Sequence, residues 1–325
     1  MKLPRRRFLN LALGAATLPT VSRFAWAQSY PARPARIIVG QAAGSGADLI
    51  ARLLGQRFSE RLGQPFIVEN RPGAAGNIAT EAVVRAPADG YTLLIVSQSN
   101  TINATLYNKL NFDFVHDITP IASLFRVSLV MEVNPSVPVK TVPEFIAYAK
   151  ANPGKINMAS AGIGSVQHIA GELFKFMTGV DLVHVPYRGS TPALTAVLAG
   201  EVQVMFDTTF TATPQILAGA VRPLAVTTAT RVDTLPDIPV MNDFVPGYEA
   251  IAWLGVGAPK GTPAAIVDML NREINTALAD PTIKARIVSL GGTIFSSTPS
   301  DFGRFIGDET KKWGKVIRAA NIKSP

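Results

Sequence analysis

Short apolar runs alternate with amphipathic segments along most of the chain. The first run, residues 36–40, predicts a buried strand, and residues 48–62 carry apolar side chains at the spacing of one helix face. A strand over 66–69, a helix over 76–85 and a strand over 91–97 continue this order. Strands joined by helices favour a mostly parallel sheet with right-handed crossovers.

The same alternation continues through the rest of the chain. The predicted strands are 156–160, 183–185, 202–206, 223–227 and 251–258. The predicted helices are 143–151, 165–177, 192–198, 263–279 and 281–290, followed by a last helix after Asp301 that carries Trp313. Because 325 residues exceed what one hydrophobic core usually serves, the sequence predicts two α/β lobes.

The N-terminus has the pattern of an export signal. Residues 5–10 read RRRFLN, which fits the twin-arginine motif, an apolar run follows over 11–18, and residues 25–27 read AWA. Since the apolar run is too short to span a bilayer, we expect cleavage near Ala27 and a mature protein in the periplasm. An uncleaved anchor is the alternative, and the general secretory route fits as well as the twin-arginine route.

Charge and composition exclude several classes of protein. The formal net charge is +8, but the first 27 residues hold five basic and no acidic residues, which leaves 26 basic and 23 acidic residues. No basic stripe with interleaved aromatic residues remains, so we expect no nucleic-acid partner. The absence of cysteine excludes disulfides and zinc–thiolate sites. None of His116, His168 and His184 stands at metal-binding spacing, and no dinucleotide or phosphate-loop motif occurs, so we expect no metal and no cofactor.

Three glycine-rich loops each lie between a predicted strand and a predicted helix. They occupy residues 43–47, 73–76 and 161–165. Ligands of open parallel sheets bind beyond the carboxyl ends of strands, where helix N-termini offer unpaired N–H groups and a partial positive charge. The loops therefore predict an anion site that requires no arginine, although a tight turn is the alternative for each one alone. Gly164→Val is expected to block close backbone approach and to leave the fold intact.

Two polar residues on the third loop and its helix allow two interpretations. Ser165 and His168 are three residues apart and share a helix face. A nucleophile–base pair would need a third orienting group and a nucleophile elbow, which this sequence lacks. The alternative is that Ser165 caps the helix.

Four further polar residues are candidates for the same crevice. Arg188 could pair with a carboxylate and Tyr187 could donate its hydroxyl, or Arg188 could be a solvated loop residue. For Asp48, capping its own helix is favoured over binding a ligand ammonium group. Asp207, at a strand end, is expected to hold the crevice loops by hydrogen bonds.

Seven segments, in this order and spacing, resemble one family. They are GSGADLIAR at 44–52, VENRPGAAGN at 68–77, DGYTLL at 89–94, GIGSVQH at 162–168, HVPYRG at 184–189, GEVQVMFD at 200–207 and WLGVGAP at 253–259. Over essentially its whole mature length, the chain resembles the substrate-binding receptors of tripartite tricarboxylate transporters, or Bug-type extracytoplasmic solute receptors. It departs from the family pattern at 41–46 and 97–100, both at the expected pocket.

The resemblance implies a two-lobed type II periplasmic-binding-protein fold, with each lobe a mostly parallel sheet flanked by helices. We assign residues 28–130 and 250–325 to one lobe and 131–249 to the other, with crossings at 127–133 and 252–257. The implied function is a monomeric, non-enzymatic receptor that closes around a small organic carboxylate and delivers it to membrane transporter subunits. A ligand sensor for a signalling partner and a periplasmic hydrolase using Ser165 are the alternatives.

The site expected from the loops and from the resemblance has seventeen members. The expected ligand-binding residues are Ala43, Gly44, Ser45, Gly46, Asp48, Ala75, Gly76, Ser97, Ser160, Gly162, Gly164, Ser165, His168, Tyr187, Arg188, Gly189 and Asp207. Since a ligand that contacts both lobes binds the closed form better, binding would shift the population toward that form.

Overall fold

The computed structural model describes residues 30–289 and 291–323. The expected export signal lies outside the described residues. Within the described part of the chain, no helix combines the length and the apolar character that a bilayer crossing requires.

Ten strands and eleven α-helices form the described part of the chain. The strands are β1 Ala35–Val39, β2 Phe66–Asn70, β3 Thr92–Ser97, β4 Ile118–Val133, β5 Ile156–Ser160, β6 Leu182–Pro186, β7 Val204–Thr208, β8 Arg222–Val226, β9 Ile251–Pro259 and β10 Gly292–Ile294. The helices are α1 Gly46–Leu62, α2 Asn77–Val84, α3 Gln98–Leu106, α4 Phe114–Asp117, α5 Val142–Ala151, α6 Val166–Thr178, α7 Ser190–Leu198, α8 Thr209–Leu217, α9 Ala264–Leu278, α10 Pro281–Ser289 and α11 Pro299–Ala319. Short 3-10 turns occupy Ala74–Gly76 and Met241–Asp243.

Two groups of strands meet through the long strand β4. In one group β2, β1 and β3 are parallel, while β9 runs antiparallel to β3 and to the first part of β4. In the other group β6, β5 and β7 are parallel, while the last part of β4 runs antiparallel to β7 and β8. The change of partners falls between Ser128, which pairs with Ile251 of β9, and Leu129, which pairs with Thr208 of β7.

The sheets are therefore mixed. The expectation of a mostly parallel sheet was right for three strands of each group and wrong for the remainder. β9 is antiparallel to both of its neighbours, β3 and β4. β4 is antiparallel to β7 and β8 because it enters the second group as the continuation of one long strand, without a helical crossover.

Most predicted helices and strands are present, with ends shifted by one or two residues. The cap signals explain this agreement: Ser45 accepts the N–H of Asp48 at 3.2 Å to start α1, and Gly63, at φ 71°, ends it. Five helices and strands were not predicted, namely α3, α4, β4, α8 and β10.

The last helix, α11, packs against both lobes. Its first half places Phe302 and Ile306 in a core with Trp253 of β9. Its second half places Trp313 and Val316 in the core of the other lobe. The chain therefore links the lobes by a packed helix as well as by the strands that cross between them.

Candidate functional site

A cavity of about 490 Å³ lies between the two groups of strands. Its lining residues are Gln41, Gly44, Ser45, Gly46, Ala47, Leu49, Ser97, Gln98, Ser99, Phe125, Val127, Ser165, Val166, Gln167, Thr208, Phe210, Ala252, Trp253 and Leu254. They come from both lobes and from the two strands, β4 and β9, that cross between them. A pocket of this size accommodates a small organic ligand.

Four helix N-termini open onto this cavity. The N-cap residues of α1, α3, α6 and α8 are Ser45, Ser97, Ser165 and Thr208, and all four line the cavity wall. Two of these helices follow strands of one lobe and two follow strands of the other. Each N-terminus leaves backbone N–H groups without intrahelical partners and carries a partial positive charge, so the cavity is suited to an anion.

In the first lobe, local hydrogen bonds fix the two helix starts. The N–H of Ser97 donates to Asn100 Oδ1 at 2.8 Å. Asp48 lies inside the first turn of α1, where its Oδ2 accepts the N–H of Gly44 at 2.8 Å and its Oδ1 pairs with Arg52 at 3.0 Å. Asp48 therefore stabilises the start of its own helix, as the favoured interpretation of the sequence stated.

Ser165 has the capping role in the second lobe. Its hydroxyl accepts the N–H of His168 at 3.3 Å, and the Nδ1 of His168 accepts the N–H of Gly164 at 3.1 Å. The imidazole is thus used to hold the loop that precedes the helix. This geometry fits a capped helix start and not a serine activated by a histidine base.

A buried histidine pair supports the same loop from behind. The rings of His168 and His184 stack with centroids 3.7 Å apart, and His184 Nε2 lies 2.6 Å from Ser160 Oγ, which also accepts the N–H of Gly162 at 3.1 Å. Burial, followed by the positive charge that the partner ring and Lys175 would add, lowers the pKa of His168 to about 3. Burial and Lys175 lower that of His184 to about 4. Both rings are therefore neutral near pH 7 and act as hydrogen-bonding scaffold.

The cavity wall holds an amide that has no protein partner. Gln98, in the first turn of α3, is 4% exposed, and neither its Nε2 nor its Oε1 has a hydrogen-bond partner within residues 30–289 and 291–323. Buried amides are rarely left unpaired, because the desolvation of each polar atom costs free energy. A ligand oxygen at the N-terminus of α3 would satisfy the Nε2 donor.

The expectation that Gly164→Val leaves the fold intact was wrong. Gly164 has φ 78°, and a Cβ atom there would lie 2.6 Å from Cδ2 of Leu106 in α3. Gly164→Val would therefore strain the backbone and clash with the side chain of Leu106, so this substitution is expected to destabilise the fold.

The structure brings five of the expected site residues together on the cavity wall. They are Gly44, Ser45, Gly46, Ser97 and Ser165. The other twelve do not line it: Ala43, Asp48, Ala75, Gly76, Ser160, Gly162, Gly164, His168, Tyr187, Arg188, Gly189 and Asp207. Several of these shape the loops, and as ligand contacts all twelve remain predictions.

Some lining residues were not predicted from the sequence as members of the site. The polar ones are Gln41, Gln98, Ser99, Gln167 and Thr208, and the large apolar ones are Leu49, Phe125, Val127, Phe210, Trp253 and Leu254. The unusual polarity of residues 97–100 pointed to part of the first set. Nothing in the sequence separated the second set from ordinary core residues.

A two-lobed α/β solute-binding protein with a cleft between its lobes is the class that this fold and site define. Residues 50–322 match the family described as tripartite tricarboxylate transporter family receptor, and the chain belongs to that family. The resemblance stated from the sequence is confirmed.

Relatives and solved structures agree over nearly the whole length. Protein BugT of Bordetella pertussis is 35% identical over 300 residues, which cover 91% of this chain and 92% of BugT. A Rhodopseudomonas palustris protein solved with adipate is 37% identical, with a TM-score of 0.78 and coverage of 90% of this chain and 99% of that one. MatC from Rhodopseudomonas palustris with bound malate is 31% identical, with a TM-score of 0.75 and coverage of 89% and 100%. The two-lobed α/β fold class is therefore confirmed as well.

Proposed function

We propose that this protein is an exported, monomeric solute receptor that captures a small organic carboxylate between its lobes and delivers it to a membrane transporter. The observation that carries the proposal is the convergence of four helix N-termini on one cavity. The adipate and malate bound to two structural neighbours support a carboxylate as the ligand class.

Backbone donors, rather than cationic side chains, hold the anion. No Lys, Arg or His side chain of the described residues lines the cavity. The carboxylate oxygens accept N–H groups of the first helix turns, and Gln98 adds a side-chain donor. Such donors are fixed by the folded backbone, so binding orders few side chains and loses little conformational entropy.

Lobe closure is the proposed motion. Residues 28–130 with 250–325 form one lobe and 131–249 form the other, with crossings at 127–133 and 252–257. The change of partners of β4 at Ser128 and Leu129 supports the first crossing. Just before β9 begins, the N–H of Ala250 donates to Thr227 O at 3.1 Å, which supports a crossing close to the second range. A ligand held by N-termini of both lobes stabilises the closed form over the open one.

We propose binding without catalysis. A hydrolase would use Ser165 as nucleophile, but its hydroxyl caps α6 while the Nδ1 of His168 accepts a backbone N–H. A signalling role would use the same pocket, and no feature of the described residues favours it over transport.

Gly46→Val tests the proposal. Gly46 is the first residue of α1 and lines the cavity, and a Cβ atom there meets nothing within 4 Å, so a side chain fits the fold but covers the helix N-terminus. We expect a loss of acid binding of at least about tenfold in calorimetry, which corresponds to about 1.4 kcal/mol.

Gly307→Val is the matched control. Gly307 also lies in a helix, α11, and a Cβ atom there also meets nothing within 4 Å, but it lies outside the cavity. This variant should bind acids as the unaltered protein does. Unchanged affinity in Gly46→Val would contradict binding at the helix N-termini.

A further inference from the structure

The floor of the cavity is an apolar surface built by the two crossing strands. Phe125 of β4 lies opposite Leu254 of β9, and Val127 lies opposite Ala252. Paired residues of neighbouring strands project to the same side of a sheet, so these four side chains form one patch. Val127, Ala252 and Leu254 are half-buried and line the cavity.

Two further side chains extend this patch up the walls. Leu49, in the first turn of α1, is half-buried on one side of the cavity. Phe210, in the first turn of α8, lies on the other side and is 51% exposed. A half-exposed phenylalanine at the mouth of a cleft gains hydrophobic stabilisation when a ligand covers its ring.

The polar groups of the cavity are segregated from its floor. The polar lining residues are Gln41, Ser45, Ser97, Gln98, Ser99, Ser165, Gln167 and Thr208, which lie on the loop after β1 and at the helix starts. The backbone groups of the floor are used in the pairing of β4 with β9. The floor thus offers few hydrogen-bond partners to the middle of a ligand.

The cavity also has no partner for an ammonium group. No Asp or Glu side chain of residues 30–289 and 291–323 lines it. Asp48 and Asp207 are each next in sequence to a lining residue, but they do not line the cavity, and their exposures are only 2% and 0%. An amino acid would have to desolvate its ammonium group without an acidic partner, at a cost of several kcal/mol.

We infer that the captured acid has an apolar body, an aliphatic or aromatic skeleton without hydroxyl or amino substituents, which lies on the floor formed by Phe125, Val127, Ala252 and Leu254. This inference rests on the proposed function and specifies its substrate class. The helix N-termini bind the carboxylate, and the floor selects what the carboxylate is attached to. A cavity of about 490 Å³ leaves room for such a body beside the charged group.

Matched acids test the inference with the unaltered protein. Hexanoate and gluconate share a carbon chain and one carboxylate, while adipate and galactarate share the same chain with two. In both pairs the second member carries hydroxyl groups that the floor cannot pair. We expect titration calorimetry to give the unsubstituted member at least about tenfold tighter binding, because an unpaired buried hydroxyl costs about 1–3 kcal/mol.

The inference and the proposed function fail differently. Equal or tighter binding of gluconate and galactarate would overturn the inference and leave carboxylate capture standing. Failure of all four acids to bind would overturn the proposed function itself, together with the inference that rests on it.

A variant locates the selectivity on the floor. Val127→Thr keeps the side-chain shape and adds a hydroxyl, so it should narrow the preference for adipate over galactarate by about threefold or more. Val183→Thr, at a strand position that is 41% exposed and outside the cavity, is the matched control and should leave the preference unchanged. An unchanged preference in Val127→Thr would contradict the placement of the ligand body on this floor.

Discussion

At the scale of single residues, two buried carboxyl groups lie together on β4 and β7. Asp207 is opposite Val130, while Glu132, two residues further along β4, is opposite Met205, so both project to the same side of the sheet. Both side chains are 0% exposed, and neither oxygen of Glu132 has a hydrogen-bond partner in the described part of the chain. Burial raises the pKa of Asp207 to about 6, and burial together with the charge of Asp207 raises the pKa of Glu132 well above its usual value.

The pair makes stability depend on pH. An aspartate that titrates near 4 when unfolded and at about 6 when folded binds more protons in the folded state between these values. This group alone therefore lowers the free energy of unfolding by about 3 kcal/mol as the pH rises from about 4 through about 6. Carboxyl groups with a lowered pKa, such as those of Asp48 and Glu273, contribute with the opposite sign. Urea denaturation at a series of pH values measures the slope.

Asp207→Asn should make the slope between pH 4 and 6 more positive than in the unaltered protein, because the amide does not titrate and the decrease contributed by Asp207 is lost. Asp308→Asn, which removes a well-exposed carboxylate of α11, is the control and should retain the slope. An unchanged slope in Asp207→Asn would contradict the assignment of the elevated pKa to this residue.

The sequence predicted the roles of residues that act through their near neighbours in the chain, and it did not predict roles that depend on distant residues. The caps Ser45 and Ser165 were predictable, because a cap depends on residues three positions away. Phe125 and Leu254 were not, since an apolar strand residue has the same sequence pattern on a cavity floor as in a core. Gly164 was misinterpreted because its close neighbour, Leu106, is distant in sequence and lies in the other lobe.

At the scale of elements, a buried carboxylate of α11 joins this helix to strand β9. Glu309 is 5% exposed, and its Oε2 accepts the indole N–H of Trp253 at 3.2 Å and that of Trp313 at 2.8 Å. Its Oε1 pairs with Lys312. Because Trp253 belongs to β9, this carboxylate ties the helix to that strand. Its bond to Trp313, four residues further along α11, holds an indole that packs into the other lobe's core.

Glu309→Leu should destabilise the protein by about 3 kcal/mol, because it leaves two buried indole N–H groups without an acceptor. Glu309→Gln keeps an acceptor oxygen and should cost about 1 kcal/mol. Urea denaturation followed by tryptophan fluorescence measures both values. Equal losses in the two variants would show that the hydrogen bonds to the indoles contribute nothing.

Two of the elements that were not predicted, α3 and β4, have local sequences that do not favour their secondary structure. Helix α3 begins with Gln98-Ser99-Asn100-Thr101, residues of mostly modest helix propensity, and depends on the bond from Ser97 N–H to Asn100 Oδ1. Strand β4 contains Pro120 and register shifts between Pro120 and Ala122 and between Ser123 and Phe125, which break its alternation. Pairing with β9 nevertheless holds β4 in the extended conformation.

At the scale of the whole molecule, the lobes meet at points besides the crossing strands. The position of Gly164 lies against Leu106, and Thr209 Oγ1 donates to Gly291 O at 3.3 Å. If β4 and β9 bend when the lobes move, as the proposed closure requires, a ligand on the floor they form would couple occupancy of the cavity to the lobe angle.

Carboxylate capture by helix N-termini is the central claim, and thermal unfolding of residues 28–325 with acids and with their amides tests it most directly. Hexanoate and adipate serve as probes against hexanamide and adipamide, which keep the carbon body and remove the charge. An acid at about 100 times its Kd should add about 2.7 kcal/mol of stability and raise Tm, whereas the amide should leave Tm unchanged. Equal shifts with acid and amide, or no shift with either acid, would contradict the claim.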